Sequence, residues 1–337
     1  MKRTVAVLTG PKTFDFVEQE IPLLRANEVL LKVISVGLCH SDVPAYLGTS
    51  AAGFHARGYG AMIKNVPYPM PLGHEPVCKV DAVGKAVTRY KPGEFVTGFL
   101  LESFATHLLV PEDAQMMKIP QTSKPIDACI GEPMMCVSNI ARAVTPKLGD
   151  KIAVIGCGFM GLMVISALKG RNLGELVAID FDDNRLQLAS KYGATRIMNP
   201  AKVDIEDVSY DLTGGKFYDC VVEITGSLKG LASALKISKL PGHGRILAPS
   251  VYAKEVLWDV EMGYNLMYRS PEIHVVHPWY TDDYMGVFRI GVEAYIKGVF
   301  PTNELITHRI PFSEIGKGFE LLSRNPPEYI KGIITFE

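Results

Sequence analysis

The sequence predicts an α/β protein of two parts, a doubly wound parallel sheet joined to a mainly-β domain. Three observations lead there. The chain has 337 residues, more than one hydrophobic core usually serves. Its first 110 or so residues read as short strands broken by turns. After about residue 150 the pattern changes to strands alternating with helices, the rhythm of a parallel sheet covered on both faces.

Within the first part, Glu28 to Val36 alternates as a strand should, with Val29, Leu31 and Val33 on one face. Val77 to Val87 is a second strand, interrupted at Gly84. The turn Lys91-Pro92-Gly93-Glu94 leads into a third at Phe95-Val96-Thr97. The stretch from Gly48 to Pro71 is rich in Gly, Ala and Pro and reads as a long loop of the kind that often carries function. In the second part, Lys151–Ile155 is an apolar, buried-type strand, Phe159–Lys169 a helix and Leu176–Ile179 the next strand. Asn184–Tyr192 is helical and stops at Gly193. Asp219–Ile224, Leu228–Leu240 and Arg245–Ala248 continue as strand, helix and strand, and Glu272–Val276 closes the series. Two helices, at about 283–297 and 312–324, and a last strand at 330–336 complete the chain. We therefore assign residues 1–136 and 282–337 to one domain and 137–281 to the parallel-sheet domain.

Composition excludes several classes of function. Apolar residues make up 47% of the chain and the net charge is −1. That balance gives no reason to expect nucleic acid or an anionic membrane surface as a partner. No apolar run reaches the roughly 18–20 residues that span a bilayer. Met1-Lys2-Arg3 is not followed by a signal-peptide core. Six cysteines in a chain of this length are not a disulfide framework, so a reducing, cytoplasmic compartment is expected.

Gly156-Cys-Gly-Phe-Met-Gly161 follows a strand and opens a helix, the context in which a GxGxxG loop binds a dinucleotide. Gly156 permits the tight turn, Gly158 admits the pyrophosphate close to the backbone, and Gly161 lets helix and strand pack. The helix N-terminus then offers free N–H groups to the phosphates. Asp180 ends the next strand about twenty residues on, where a carboxylate accepts hydrogen bonds from a ribose. A 2′-phosphate would meet like charge there, so NAD is expected rather than NADP; Arg185 is the one nearby base, without a second Arg beside it.

Cys39-His40-Ser41-Asp42 and Gly73-His74-Glu75 suggest a metal. Thiolate, imidazole and carboxylate form the donor set of a catalytic zinc, which keeps one position open. Cys39 and His74 are two candidates. The third is open among Glu132, Cys136, Cys129 and Glu75. Paired cysteines at structural-zinc spacing occur nowhere in the sequence, so one catalytic zinc and no structural zinc are expected.

Taken together, these motifs resemble the medium-chain, zinc-dependent alcohol and polyol dehydrogenases, in particular the sorbitol- and threonine-dehydrogenase-like branch. The resemblance covers nearly the whole chain. It includes Cys39-x-Ser41-Asp42, Gly73-His74-Glu75, Pro92-Gly93-Glu94, Glu132-Pro133, the Gly156 loop with Asp180, and Thr307-His-Arg-Ile-Pro-Phe312. It implies a GroES-like catalytic domain, a Rossmann NAD-binding domain, and a homodimer or homotetramer. It also implies zinc ligation by Cys39, His74 and Glu132, since the polyol branch has Glu-Pro where the alcohol branch has Cys. Glu75 would reach the metal through water or directly, and Asp42 would orient the ligating histidine. Cys136 and Met160 resemble residues that pack near the nicotinamide, and His40 and Lys331 resemble basic positions near the pyrophosphate. For Cys136 and Met160 the competing reading is plain core packing, and for the two basic residues it is a solvated charge.

The chain also departs from that pattern. From Phe95 to Val110 there is no cysteine, so the usual four-cysteine lobe is absent. The segment between Cys39 and His74 is long and contains His55, Arg57 and Tyr59. Pro44 stands where classical alcohol dehydrogenases end their proton relay with a histidine. Zinc lowers the pKa of bound water from about 15.7 to about 7 and acts on a bound alcohol in the same sense. Ser41 would take the proton, and the nicotinamide the hydride; the competing reading of Ser41 is a helix cap. Glu132 and the missing lobe point to a polyol, cyclitol or sugar derivative, with Tyr46, Arg57 and Tyr59 as candidate substrate contacts and Trp279 and Tyr280 as candidate walls. Three alternatives remain: a simple secondary-alcohol dehydrogenase, a zinc-independent quinone or enoyl reductase, and a non-enzymatic NAD sensor.

Overall fold

In the computed structural model the described residues are 1–53, 61–63, 65–240, 242–250, 260–277 and 281–337. They form two compact units, Met1–Met134 with Thr302–Glu337, and Met135–Pro301.

The first unit starts with β1 (Lys2–Gly10) and β2 (Thr13–Glu20), an antiparallel hairpin, then β3 (Glu28–Gly37), a single helical turn at His40–Asp42 and the short α1 (Val43–Tyr46). β4 (Ala51–Gly53) and β5 (Ala61–Ile63) pair antiparallel, so part of the stretch expected to be a loop is a small ribbon. β6 (Met70–Pro71), β7 (Pro76–Val83), β8 (Phe95–Gly98), β9 (His107–Pro111) and β10 (Met116–Lys118) follow, and a short turn at Ile126–Ala128 leads into α2 (Gly131–Ala143).

The second unit holds a parallel sheet. Its strands are β11 (Lys151–Ile155), β12 (Glu175–Ile179), β13 (Arg196–Met198), β14 (Cys220–Glu223), β15 (Arg245–Leu247) and β16 (Glu272–His274), in the spatial order 13-12-11-14-15-16. Strand order reverses beside β11, and ligands of such sheets bind at that reversal. The crossover helices are α3 (Phe159–Leu168), α4 (Asp183–Tyr192), α5 (Ile205–Thr213), α6 (Leu228–Ile237) and α7 (Val260–Arg269). Ala153, Val177, Val221 and Ile246 bury the sheet centre. This explains the apolar stretches Ile152–Ile155, Leu176–Ile179 and Cys220–Val222 within β11, β12 and β14: both faces of these strands are covered. α8 (Tyr284–Ile296) belongs to this unit, although its sequence was grouped with the terminal domain. Its Val287, Phe288 and Val292 are buried, and the Val299 carbonyl just beyond it accepts a 2.6 Å hydrogen bond from Ser166 on α3.

The chain then returns to the first unit through α9 (Thr302–Leu305), β17 (Ile306–Pro311), α10 (Ile315–Arg324) and β18 (Lys331–Thr335). There the main sheet runs β10-β8-β7-β3-β18-β17, with β9 also on β3, and β2-β1-β6 form a second sheet. The architecture is a GroES-like domain with a Rossmann-like domain. The pairings of β3 with β7 and with β18 bring the ends of three distant segments together. Val36 lies opposite Pro76, and Gly37 opposite Ile333. Cys39, His74–Glu75 and Lys331 all follow or precede these paired positions directly.

Candidate active site

Cys39 leaves β3 with extended backbone, and the chain turns at once through His40–Asp42. In that turn Ser41 donates its hydroxyl to Cys39 Sγ at 3.2 Å. Opposite, Gly73 has φ +95°, and a Cβ there would lie 2.8 Å from both the Phe104 ring and Ser103 Oγ. Only glycine allows this tight entry, which delivers His74 and Glu75 to the end of β3. The ligand atoms of Cys39, His74 and Glu75 all lie within 4.8 Å of one another. They form the one such group of three among the described residues, and thiolate, imidazole and carboxylate match the donor preference of zinc.

Charged groups lie close around this cluster. Asp42 Oδ2 is buried without a hydrogen-bond partner and lies 3.6 Å from His74 Nδ1. Burial alone would lower the His74 pKa. The Asp42 carboxylate and the Cys39 sulfur outweigh it and hold the imidazole well above its ordinary value. A carboxylate behind a ligating histidine fixes the ring and its tautomer. Phe99 packs its ring 5.8 Å from that of His74. Sequence reading missed this aromatic, whose position in the cysteine-free Phe95–Val110 run carried no periodic signal.

The acidic residue that the structure brings to Cys39 and His74 is Glu75. Glu132 sits in the first turn of α2 and is not part of the 4.8 Å group. The reason is local: Glu75 follows His74 directly and is carried by the β3–β7 pairing. Lys331 is buried, which rules out its competing reading as a solvated charge. Its Nζ is turned inward, 2.6 Å from Glu75 Oε2 and 2.9 Å from the Leu38 carbonyl, with its side chain 7% exposed. Burial would lower its pKa, but the charges of Glu75 and Cys39 raise it above the ordinary lysine value. An ammonium out of water needs a counter-charge, and Glu75 supplies it. His40 is exposed on its turn.

Tyr46 is a correction. It was a candidate substrate contact, yet its ring is 3% exposed, packed against Phe14 and Phe319 in the core. The α1 turn points it inward because that face covers α10. Arg57 and Tyr59, with His55, Trp279 and Tyr280, lie outside the described residues.

In the second unit Gly156 has φ +101°, and a Cβ at Gly161 would fall 1.9 Å from the Gly156 carbonyl oxygen. Neither position tolerates a side chain, whereas a Cβ at Gly158 would meet only open space. That opening lies at the N-terminus of α3, where a pyrophosphate fits. Asp180 accepts from the Cys157 amide at 2.7 Å and from the Asp182 amide at 2.9 Å. These bonds hold the carboxylate at the end of β12 while leaving it lone pairs for a ribose. Arg185 lies in the first turn of α4, its amide capped by Asp182. Met160 and Cys136 are half-buried, on α3 and α2.

Comparison with known proteins agrees with this geometry. Residues 25–121 match the alcohol dehydrogenase GroES-like domain, and residues 160–268 match the zinc-binding dehydrogenase domain. The chain belongs to the zinc-type, medium-chain alcohol and polyol dehydrogenase family. Among its relatives in this family is an L-threonine 3-dehydrogenase of Bacillus velezensis, 27% identical over 95% of each chain. Another is an erythritol/L-threitol dehydrogenase of Mycolicibacterium smegmatis, 25% identical over 96% of this chain and 94% of that one. An Escherichia coli oxidoreductase/dehydrogenase of unknown specificity involved in membrane biogenesis superposes with a TM-score of 0.82 over all of both chains, at 25% identity. The protein is thus an oxidoreductase of this family, and no helix among its described residues is long and apolar enough to cross a membrane.

Proposed function

We propose that the protein is a zinc-dependent oxidoreductase that moves hydride between NAD(H) and the secondary alcohol or ketone of a polyol, cyclitol or sugar derivative. The observation that carries this reading is the convergence of Cys39, His74 and Glu75 with the Ser41 hydroxyl on the cysteine sulfur. In the reading, Cys39 and His74 hold the zinc, and an acidic residue completes the set. Glu75 has the geometry in its favour and Glu132 has the family resemblance. Asp42 orients His74. When bound, zinc acidifies an alcohol or polarises a carbonyl, and the nicotinamide carries the electrons. Ser41 accepts the hydroxyl proton and passes it outward.

Asp180 supports NAD over NADP, because a second negative charge beside it is repelled. The relative named for erythritol and threitol supports a small polyhydroxylated substrate. All six cysteines are free thiols, which suits a cytoplasmic enzyme. β16 ends the sheet, with Ile273 on it and Val275 just beyond it exposed, and pairing there with a second copy would give the proposed homodimer or homotetramer. The test is NADH production by zinc-loaded protein across polyols, cyclitols, amino alcohols and simple secondary alcohols, with EDTA controls. Turnover confined to polyhydroxylated substrates and abolished by EDTA supports the reading. EDTA-insensitive reduction of quinones contradicts it.

A further inference from the structure

Thr97, on β8, has one hydroxyl that serves two separate segments. It is 1% exposed. Its Oγ1 donates to the Pro76 carbonyl at 2.9 Å and accepts from the Gly131 amide at 2.8 Å. Pro76 directly follows Glu75, and Gly131 directly precedes Glu132. A single buried oxygen therefore joins the backbone beside one candidate acidic ligand to the backbone beside the other. The Gly131 amide is also one of the N–H groups that the first turn of α2 cannot satisfy internally, and its cap comes from a strand 34 residues away.

A second buried hydroxyl secures the same loop from the other side. Ser35, fully buried on β3, donates to the Asp127 carbonyl at 2.7 Å. β3 ends at Gly37, and the chain continues through Leu38 to Cys39. The segment that carries Glu132 is thus hung from the strand leading to Cys39 and from the strand pair leading to His74 and Glu75.

The sheet does not need either hydroxyl. Thr97 already lies in ladder register opposite Val77, and valine has its shape and a better strand propensity. With both its donor and its acceptor used in an apolar interior, the Thr97 hydroxyl does what a valine could not.

We propose that Thr97 is a positioning residue for the metal centre: its hydroxyl fixes the spacing between the Glu75 and Glu132 segments around Cys39 and His74. This rests on the zinc reading above. Residues that hold metal ligands in place typically change metal affinity about 10–100-fold when lost.

The experiment compares wild type, Thr97→Val, Thr97→Ser and Ser35→Ala, each loaded with Co²⁺ in place of zinc. The visible d–d and thiolate charge-transfer bands are recorded, and affinity is measured by chelator competition alongside thermal melting. The proposal expects Thr97→Val to bind Co²⁺ about 10–100-fold more weakly with shifted bands, and Thr97→Ser to restore both. If Thr97→Val does not fold, Ser35→Ala carries the test and is expected to shift the bands in the same sense. Wild-type bands and affinity in the folded Thr97→Val protein overturn the proposal, as do wild-type bands in Ser35→Ala when Thr97→Val is unfolded, or failure of Thr97→Ser to restore them. A wild type with no thiolate band overturns the zinc reading itself, and the positioning role with it.

Discussion

Lys331 sets its ammonium 2.6 Å from Glu75 Oε2, and the two side chains are 7% and 1% exposed. The pair joins β18 to the residue that follows His74, so the last strand of the chain is electrostatically part of the candidate metal site. Its partner charges outweigh the burial that would otherwise discharge Lys331.

Breaking that pair from the lysine side leaves a carboxylate buried without its counter-charge. Lys331→Met is expected to lose about 3–5 kcal/mol of stability, read as a lower midpoint in urea. Lys331→Arg, which keeps the charge, should lose much less. Equal midpoints for wild type and Lys331→Met would contradict the pairing.

Gly37 faces the same carboxylate. A Cβ there would lie 1.8 Å from Glu75 Oε2, so Gly37→Ala must push Glu75 off its present position. The expected cost is about 1–3 kcal/mol from overpacking, together with weaker zinc retention during dialysis against a chelator. Unchanged zinc retention would separate Glu75 from the metal.

Ser41 is the one hydroxyl bonded to Cys39 Sγ among the described residues. Ser41→Ala is expected to lower kcat about 10²–10⁴-fold, the usual contribution of a positioned proton acceptor. Zinc content and NAD affinity should survive. An unchanged kcat would return Ser41 to a purely local turn role.

Asp219, just before β14, gives a prediction that concerns the sheet rather than the site. Burial would raise its pKa. The Lys239 ammonium at 2.5 Å and the Lys151 amide at 2.9 Å outweigh this and hold it below the ordinary value. A depressed carboxyl contributes stability above its unfolded pKa of about 3.9, and that contribution is lost as pH falls through the lower folded value. The melting temperature of Asp219→Asn should therefore lie below wild type at pH 7, with the gap closing only as pH drops below about 4. A gap independent of pH would remove Asp219 from the ionic account.

How much of this was legible in the sequence depends on how local the cause is. β11, α3, β12 and α4 were readable because apolar runs, Gly156 and Gly193 mark them in sequence. Cys39, His74 and Asp180 were readable because their chemistry travels in short motifs. α5 and α7 were missed: α5 lies in a largely polar run, and α7 follows a mixed apolar run that carries no boundary signal. The Glu75–Lys331 pair joins residues 256 positions apart, and the Thr97 bridge joins three segments. No local pattern records such contacts, because they arise only from how β3, β7, β8 and β18 pair. Tyr46 was misread for the same reason: beside a long Gly/Ala/Pro-rich stretch it looked available, while α10, far along the chain, buries it.

The most direct measurement is the zinc content of purified wild type and His74→Ala, determined by elemental analysis alongside NADH production on a polyol mixture. The account predicts one zinc per wild-type chain, and loss of both zinc and turnover in His74→Ala. Full zinc content and undiminished turnover in His74→Ala would contradict it.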